Sequence, residues 1–450
     1  MQRYKKIYDF LHGDVIFVTQ MNARILFATC LTIVLACSRQ PEPYGPAPTP
    51  AQLEWQEMEM NMFVHFGPNT FSGLEWGTGL EPEDLFRPTE LDCRQWARTA
   101  KAAGMKGIII TAKHHDGFCL WPNPASRHCV KDVDVLKELS EACREEGLKF
   151  GVYISPWDRN DPTYGTPEYN QKYVETLRSV HDGTYGPIFE HWFDGACGEG
   201  PTGKRQEYDW PLFHSTVASL QPDAIQFSDV GPGCRWVGNE NGRAGETNWS
   251  TLNADGFTPG IGAPPTKSLT EGDEDGAAWI PAEADVSIRP GWFWRSSEDD
   301  QLKSVEELMD IYFASVGRNA VLLLNVPADT RGKIPAADSL RLMEFRARRD
   351  SIFTHNLAGR ISRRQNTWTV KVKEPHSFNL VVLQEDIRLG QRIRSFKIEA
   401  DTGGGWHEIA QGTTVGYKRI LRVPETAACR IRITVTDAKA NPILSGVRVY

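Results

Sequence analysis

From about residue 55 the polar and apolar positions fall into a repeating order. A stretch with apolar residues every three or four positions gives way to a short continuous apolar run, then to a polar loop. Asp92 can cap a helix whose apolar face includes Trp96, Ala100 and Ala103, and Gly104 stops it. A strand over 107–111 follows and runs into the loop His114-His115-Asp116-Gly117. The next unit starts at Asp134, passes through Leu136, Leu139 and Cys143, and ends at Gly147; its strand covers 149–155 and its loop 156–160. A third helix over 167–181 carries Tyr169, Tyr173 and Leu177 on one face and leads to a strand over 188–193, which ends on Asp194-Gly195-Ala196. A fourth helix, 209–220, precedes a strand at 224–228 and a glycine-rich loop from Gly231. Residues 60–65 read as an earlier strand and 320–326 as a late one.

Strands that are nearly continuous apolar runs, each followed by a helix, mean a parallel sheet covered on both faces. Repetition over some 300 residues predicts an α/β fold, a (β/α)8-like (TIM-type) barrel, and no GxGxxG follows the first strand to support a dinucleotide fold. From about Gly359 the pattern changes to short strand-like runs (368–372, 379–383, 430–435) separated by turn formers such as Gly403-Gly404-Gly405. That predicts a C-terminal all-β sandwich, serving either to brace the barrel or to bind carbohydrate. The expected organisation is a leader at 1–37, a Pro-rich tether at 38–52, a catalytic barrel at 53–358 and a sandwich at 359–450.

The leader rests on twelve mostly apolar residues, 25–36, preceded by Arg24 and followed by Cys37. Twelve are too few to span a bilayer, which needs about 20, but suit a signal-peptide core. Val34-Leu35-Ala36-Cys37 resembles a bacterial lipobox, in which Cys37 is lipidated, and Met21 would be a natural start. The expected location is therefore the bacterial cell envelope, periplasmic or surface-exposed, with the membrane reached only through the lipid anchor. Fifty-eight acidic against 50 basic residues weigh against a nucleic-acid partner. Of nine cysteines, the seven beyond the leader form an odd set with no CxxC, which argues against a zinc site or a dense disulfide framework. Fourteen tryptophans suit either a large core or a site that stacks on sugar faces.

The candidate chemistry gathers at the predicted C-terminal ends of the barrel strands. Asp194, in Trp192-Phe193-Asp194-Gly195-Ala196, is a carboxylate projecting from an apolar strand beside aromatic rings, with Gly195 leaving room for a ligand. A retaining glycosidase needs a second carboxyl about 5–5.5 Å away as general acid. The loop after the next strand offers Glu240 and, six residues on, Glu246; the pattern alone divides them evenly. His65 ends the first strand, and Glu75-Trp76 lie in the first long loop. Adjacent His114 and His115 point apart on an extended chain and lack an HxH, HExxH or Cys partner, so they read as hydrogen-bond donors to a polar ligand rather than metal ligands.

FVHFG at His65, FSGLEWG at Glu75-Trp76, TAKHHDGFCLW at His114-His115 and WFDGA at Asp194 together resemble glycoside hydrolase family 29, the α-L-fucosidases, in order over residues 53–358. The resemblance implies a barrel followed by a β-sandwich, with Asp194 as nucleophile. RWVGNE and SPWDRN resemble the subfamily acting on α-1,3/4-linked fucose in branched, Lewis-type glycans, which favours Glu240 as acid/base over Glu246 and places Trp157 in the pocket. It further implies that His65, Glu75, Trp76, His114 and His115 bind fucose hydroxyls, that Trp192 lies beside the nucleophile, and that Trp292 or Trp294 packs on the C5 methyl. No metal or organic cofactor is required, and the partner is a fucosylated oligosaccharide or glycoconjugate. The rival expectations are a fucosidase of broader specificity, a surface lipoprotein that captures glycans without cleaving them, and a metal-dependent hydrolase using His114 and His115.

Overall fold

A computed structural model describes residues 42–262 and 264–450. The leader, the proposed lipidation site Cys37 and the first residues of the tether lie outside the described residues. Eight parallel strands close a barrel: β1 (Met60–Val64), β2 (Gly107–Lys113), β3 (Lys149–Ile154), β4 (Ile188–Trp192), β5 (Ile225–Ser228), β6 (Cys234–Trp236), β7 (Ala282–Ser287) and β8 (Ala320–Asn325). They neighbour one another in chain order, and β8 pairs with β1 through Met60 opposite Leu322 and Phe63 opposite Asn325.

The helices form where their local signals are strongest. Asp92 and Asp134 each accept a backbone N–H three residues on, at 2.8 and 3.0 Å, starting α2 (Cys93–Ala103) and α3 (Val135–Glu146). Gly104 and Gly147 end them at φ of 81° and 71°, a left-handed conformation that glycine adopts without steric cost. Helices α4 (Pro167–His181) and α5 (Trp210–Leu220) follow β3 and β4 as expected. Ahead of them all, α1 (Pro50–Met58) closes the bottom of the barrel. Its Trp55 joins the inward-facing layer of Phe63, Ile109, Tyr153, Trp192, Phe227 and Leu323, and Gln52 donates to the carbonyls of Gly233 and Trp279. The stretch before α1 is laid down on the protein from Tyr44, whose N–H donates to Leu389 O.

Two strands differ from the sequence reading. β6 occupies part of what was read as a glycine-rich loop, and only residues 229–233 separate it from β5, with no helix between. β7, Ala-Glu-Ala-Asp-Val-Ser, went unassigned because carboxylates alternate with its small residues; the carboxylates point inward, Glu283 accepting the indole N–H of Trp192 from β4 and Asp285 that of Trp236 from β6.

After α6 (Val305–Ala314) and α7 (Ala336–Phe353), eight antiparallel strands build the C-terminal region: β9 (Ala358–Arg364), β10 (Thr367–Val372), β11 (Ser377–Glu385), β12 (Ile393–Asp401), β13 (Trp406–Gly412), β14 (Arg419–Ala427), β15 (Arg430–Ala438) and β16 (Leu444–Val449). A five-stranded sheet, β9-β10-β15-β12-β13, faces a three-stranded sheet, β14-β11-β16, over a core that includes Trp368, Phe378, Phe396 and Ile433. Barrel and sandwich share a buried polar seam in which the Asn248, Asn319 and Gln391 amides bond across to backbone and to each other. The seven cysteines among the described residues are free thiols. Among the described residues no helix is long and apolar enough to cross a membrane.

Candidate active site

A cavity of about 220 Å³ opens at the C-terminal ends of the strands, lined by Phe63, His65, Trp76, His114, His115, Tyr153, Trp157, Trp192, Asp194, Ala196, Glu240, Asp285 and Trp292. A larger one of about 550 Å³ lies at the opposite end, against strand beginnings such as Lys149, Ile188 and Ile225, so size alone does not select the site. Chemistry in parallel barrels belongs to the C-terminal face, where every loop that follows a strand can contribute a side chain.

Asp194 stands two residues past β4. Its Oδ1 accepts the Ala196 N–H at 2.7 Å and its Oδ2 accepts the Tyr153 hydroxyl at 2.8 Å. Burial raises its proton affinity, and those two donors partly offset the rise. His115 Nε2 lies 3.7 Å from Oδ2. Burial, helped by the charges of Lys113 and Arg159, pushes the His115 pKa down to about 3, so this neighbour is a neutral imidazole at ordinary pH. His65 is likewise held down at about 3 by burial. Asn325 Oδ1 accepts from its Nδ1–H at 2.9 Å, because the Asn325 amide nitrogen is already committed to Ser287 and the Trp292 carbonyl. The Nε2 of His65 is thereby left as an acceptor. His114 packs flat against Tyr153, 5.7 Å between centroids, and burial keeps it neutral too.

Aromatic rings shape the rest. Trp157 lies against His115 at 4.7 Å, anchored by its indole N–H on Glu199 O. Trp76, 58% exposed, meets it edge-on at the mouth. Trp192 stacks on Phe227 at 3.7 Å and donates to Glu283, while Trp292 sits 5.0 Å from His65. Trp294 is outside the lining and bonds Asp299. Glu75 is also outside it: one oxygen accepts the Trp292 N–H at 2.6 Å and the other takes Arg295, so it holds the Trp292 loop.

The two glutamates that the pattern alone left even, and that the resemblance ranked with Glu240 first, lie in different surroundings. Glu240, in the loop after β6, lines the cavity while its side chain stays open to solvent, and partial desolvation together with the charges of Asp194 and Glu75 raises its proton affinity against a hydrogen bond to Trp292. Glu246 is 74% exposed at the seam with the sandwich, paired with Arg318 at 3.0 Å and Arg419 at 3.8 Å. Two polar lining residues were missed by sequence reasoning. Tyr153 lies inside a strand read only as apolar; its hydroxyl on an inward position was the available signal. Asp285 lies on the unassigned β7, where the period-two alternation of small and acidic residues was the signal.

Neither His114 nor His115 belongs to the convergent group of potential metal ligands found among the described residues, which comprises Glu190, Cys234 and Glu283 deep in the barrel. There the two carboxyls hydrogen-bond each other, and Trp55 and Trp192 donate to them at 2.7 and 2.9 Å. Burial pushes Glu190 up to about 7 and Glu283 well above its ordinary range, the behaviour of two carboxyls sharing a proton.

A family description of α-L-fucosidases matches residues 44–347. The chain belongs to the α-L-fucosidase family. The enzyme, a glycoside hydrolase, is 41% identical over 454 residues to Alpha-L-fucosidase 1 of Arabidopsis thaliana, covering 91% of this chain and 88% of that one. It also resembles the crystal structure of a glycoside hydrolase 29 family member from an unknown rumen bacterium (TM-score 0.86, 42% identity, 91% of this chain and 78% of that chain). A Ruminococcus gnavus GH29 fucosidase in complex with fucose matches with a TM-score of 0.83 at 31% identity, over 92% of this chain and 96% of that one.

Proposed function

We propose that this enzyme is a retaining exo-α-L-fucosidase that removes terminal α-1,3/4-linked fucose from branched, Lewis-type glycans. The observation that carries the reading is that Asp194 and Glu240 line one cavity with no Lys or Arg paired to either among the described residues, while Glu246 is engaged elsewhere. Asp194, deprotonated, attacks the anomeric carbon as Glu240 gives its proton to the departing glycosidic oxygen. Glu240, now a carboxylate, takes a proton from water, and the resulting hydroxide displaces Asp194 from the fucosyl-enzyme with net retention. The neutral imidazoles of His65, His114 and His115 offer donors and acceptors to the sugar hydroxyls, strengthening as the ring flattens. Trp157, Trp192 and Trp292 supply apolar faces, the last of them to the C5 methyl. Glu75 acts at one remove, by fixing Trp292. Trp76, exposed at the mouth, is positioned to meet the sugar beyond the scissile bond. The floor of Phe63 and Trp192 closes the cavity below, which favours a terminal residue over an internal one.

Fucose release from a Lewis-type trisaccharide and from an α-1,2-fucosylated disaccharide, measured side by side, tests the reading. Cleavage of the branched glycan alone is expected. Preference for the α-1,2 sugar would move the enzyme to the broader-specificity group, and release from neither would leave a glycan-binding protein. We also propose that Cys37 carries a lipid anchor, which predicts palmitate incorporation that a Cys37→Ala variant loses.

A further inference from the structure

A third carboxyl faces the cavity, and neither proposed step uses it. Asp285 lies on β7, 3% exposed, among the residues lining the site. Its Oδ1 accepts the Trp236 indole N–H at 2.9 Å. The largest charge effects on it come from acidic groups, Glu240 from the loop after β6, Asp194 from the end of β4, and Glu283 two positions earlier on its own strand, while Arg235 on the adjoining β6 is bound to the Leu269 and Ile280 carbonyls. The adjoining strand β8 offers no ionisable residue and sets Leu323 opposite it. Three carboxylates converging on a 220 Å³ cavity with no Lys or Arg among its described lining residues would repel one another strongly. The reaction needs Asp194 ionised and lets Glu240 cycle, so Asp285 is the member free to stay neutral.

We propose that Asp285 works as a protonated carboxylic acid, a neutral member of the cavity wall that limits the charge of the site and donates a hydrogen bond into it. This rests on the roles given above to Asp194 and Glu240. Burial first and Glu240 second push its pKa up to about 8, so the proton stays on through the neutral range. Above that range a third negative charge appears in the cavity. It opposes the ionised nucleophile and removes a donor, and turnover falls for a reason separate from the titration of Glu240.

The deciding comparison is Asp285→Asn against Asp285→Ala, with kcat/KM followed from pH 5 to 9 on an aryl α-L-fucoside. A carboxamide is neutral and keeps an N–H donor. Asp285→Asn is therefore expected within about threefold of wild type near pH 6, and Asp285→Ala to lose about tenfold or more, the effect of one unmet hydrogen bond in a buried site. The wild-type inflection near pH 8 should be missing from the Asn profile. A second readout does not depend on activity. A carboxyl whose folded pKa is raised costs stability progressively as pH rises from its unfolded value, about 3.9, to about 8. The melting temperature of Asp285→Asn should therefore gain on that of wild type across that window. Equal loss in Asn and Ala variants, or a melting difference flat with pH, would overturn the proposal and assign Asp285 the role of a carboxylate. Absence of fucosidase turnover in the wild type would instead refute the functional reading, leaving the melting comparison to decide Asp285.

Discussion

Carboxylates crowd two regions of this molecule, and they are treated in opposite ways. At the seam between barrel and sandwich four of them meet cations: Glu246 meets Arg318 and Arg419, Glu59 meets Lys418, Glu274 meets Arg394, and Asp310 meets Arg422. In the cavity, Asp194, Glu240 and Asp285 are held by neutral donors, the Tyr153 hydroxyl, the Ala196 amide and the indoles of Trp292 and Trp236, and proton affinity rises at all three. An ion pair locks a carboxylate in its charged form, whereas burial among neutral donors leaves its proton free to move within the working pH range. The seam is built for adhesion and the cavity for proton transfer. Glu75 marks the border: it lies beside the cavity and is paired with Arg295.

The harshest way to break this contrast is to remove the carboxylate proposed to form the covalent bond. Asp194→Ala is expected to lose at least about 10⁴-fold in kcat, the scale seen when a nucleophile is deleted. Turnover near wild type would end the assignment.

Next comes Glu240→Ala. Loss of general acid–base assistance is expected to cost about 10²–10⁴-fold on a glycan. It should cost far less on an aryl fucoside whose leaving group needs no proton, and azide should partly restore turnover by replacing the water that Glu240 activates. The same group carries the alkaline limb of the pH profile, since it must be protonated to act. Replacing Asp194 by Asn removes one of the charges holding the Glu240 proton, so the Glu240 pKa should fall, as a carboxyl-specific ¹³C titration would read.

Tyr153→Phe sharpens the contrast from the other side. The hydroxyl is one of two donors restraining the raised proton affinity of Asp194. Without it the Asp194 pKa rises further, and because Asp194 must be ionised to attack, the acid limb of kcat/KM moves to higher pH. A shift of about one unit is expected, a tenfold loss on that limb, corresponding to one hydrogen bond to a charged group. An unmoved acid limb would mean that another group sets it.

How much of this was legible depends on how local the signal is. Asp92, Asp134 and Gly104 fix helix ends within a few residues of themselves, and those helices form where expected. The apolar strands leading to His65, His115 and Asp194 were legible for the same reason. β7 was not, because Glu283 and Asp285 are made tolerable inside the barrel by Trp192 and Trp236, 91 and 49 residues away. Glu240 and Glu246 were equivalent by pattern alone because both sit among glycines and polar residues, and only the family resemblance ranked Glu240 first. What separates them is supplied by Arg318 and Arg419, 72 and 173 residues further on.

That separation gives the smallest effect and the most demanding test. Glu246→Ala deletes a carboxylate six residues from Glu240 on the same excursion of chain, with similar neighbours in sequence. Its side chain is 74% exposed, so its pairing with Arg318 contributes at most about 1 kcal/mol after solvent screening. Arg419, the more buried partner, keeps a hydrogen bond to the Glu246 carbonyl, which the substitution leaves in place. Activity should therefore stay within about twofold of wild type on both glycan and aryl fucoside, and the melting temperature should fall by no more than about 2 °C. Azide should have no effect on this variant. If Glu246→Ala instead loses glycan turnover while keeping the aryl fucoside, the seam carboxylate reaches the reacting oxygen by a loop movement. Pairing with a cation would then no longer mark a carboxylate as structural in this enzyme.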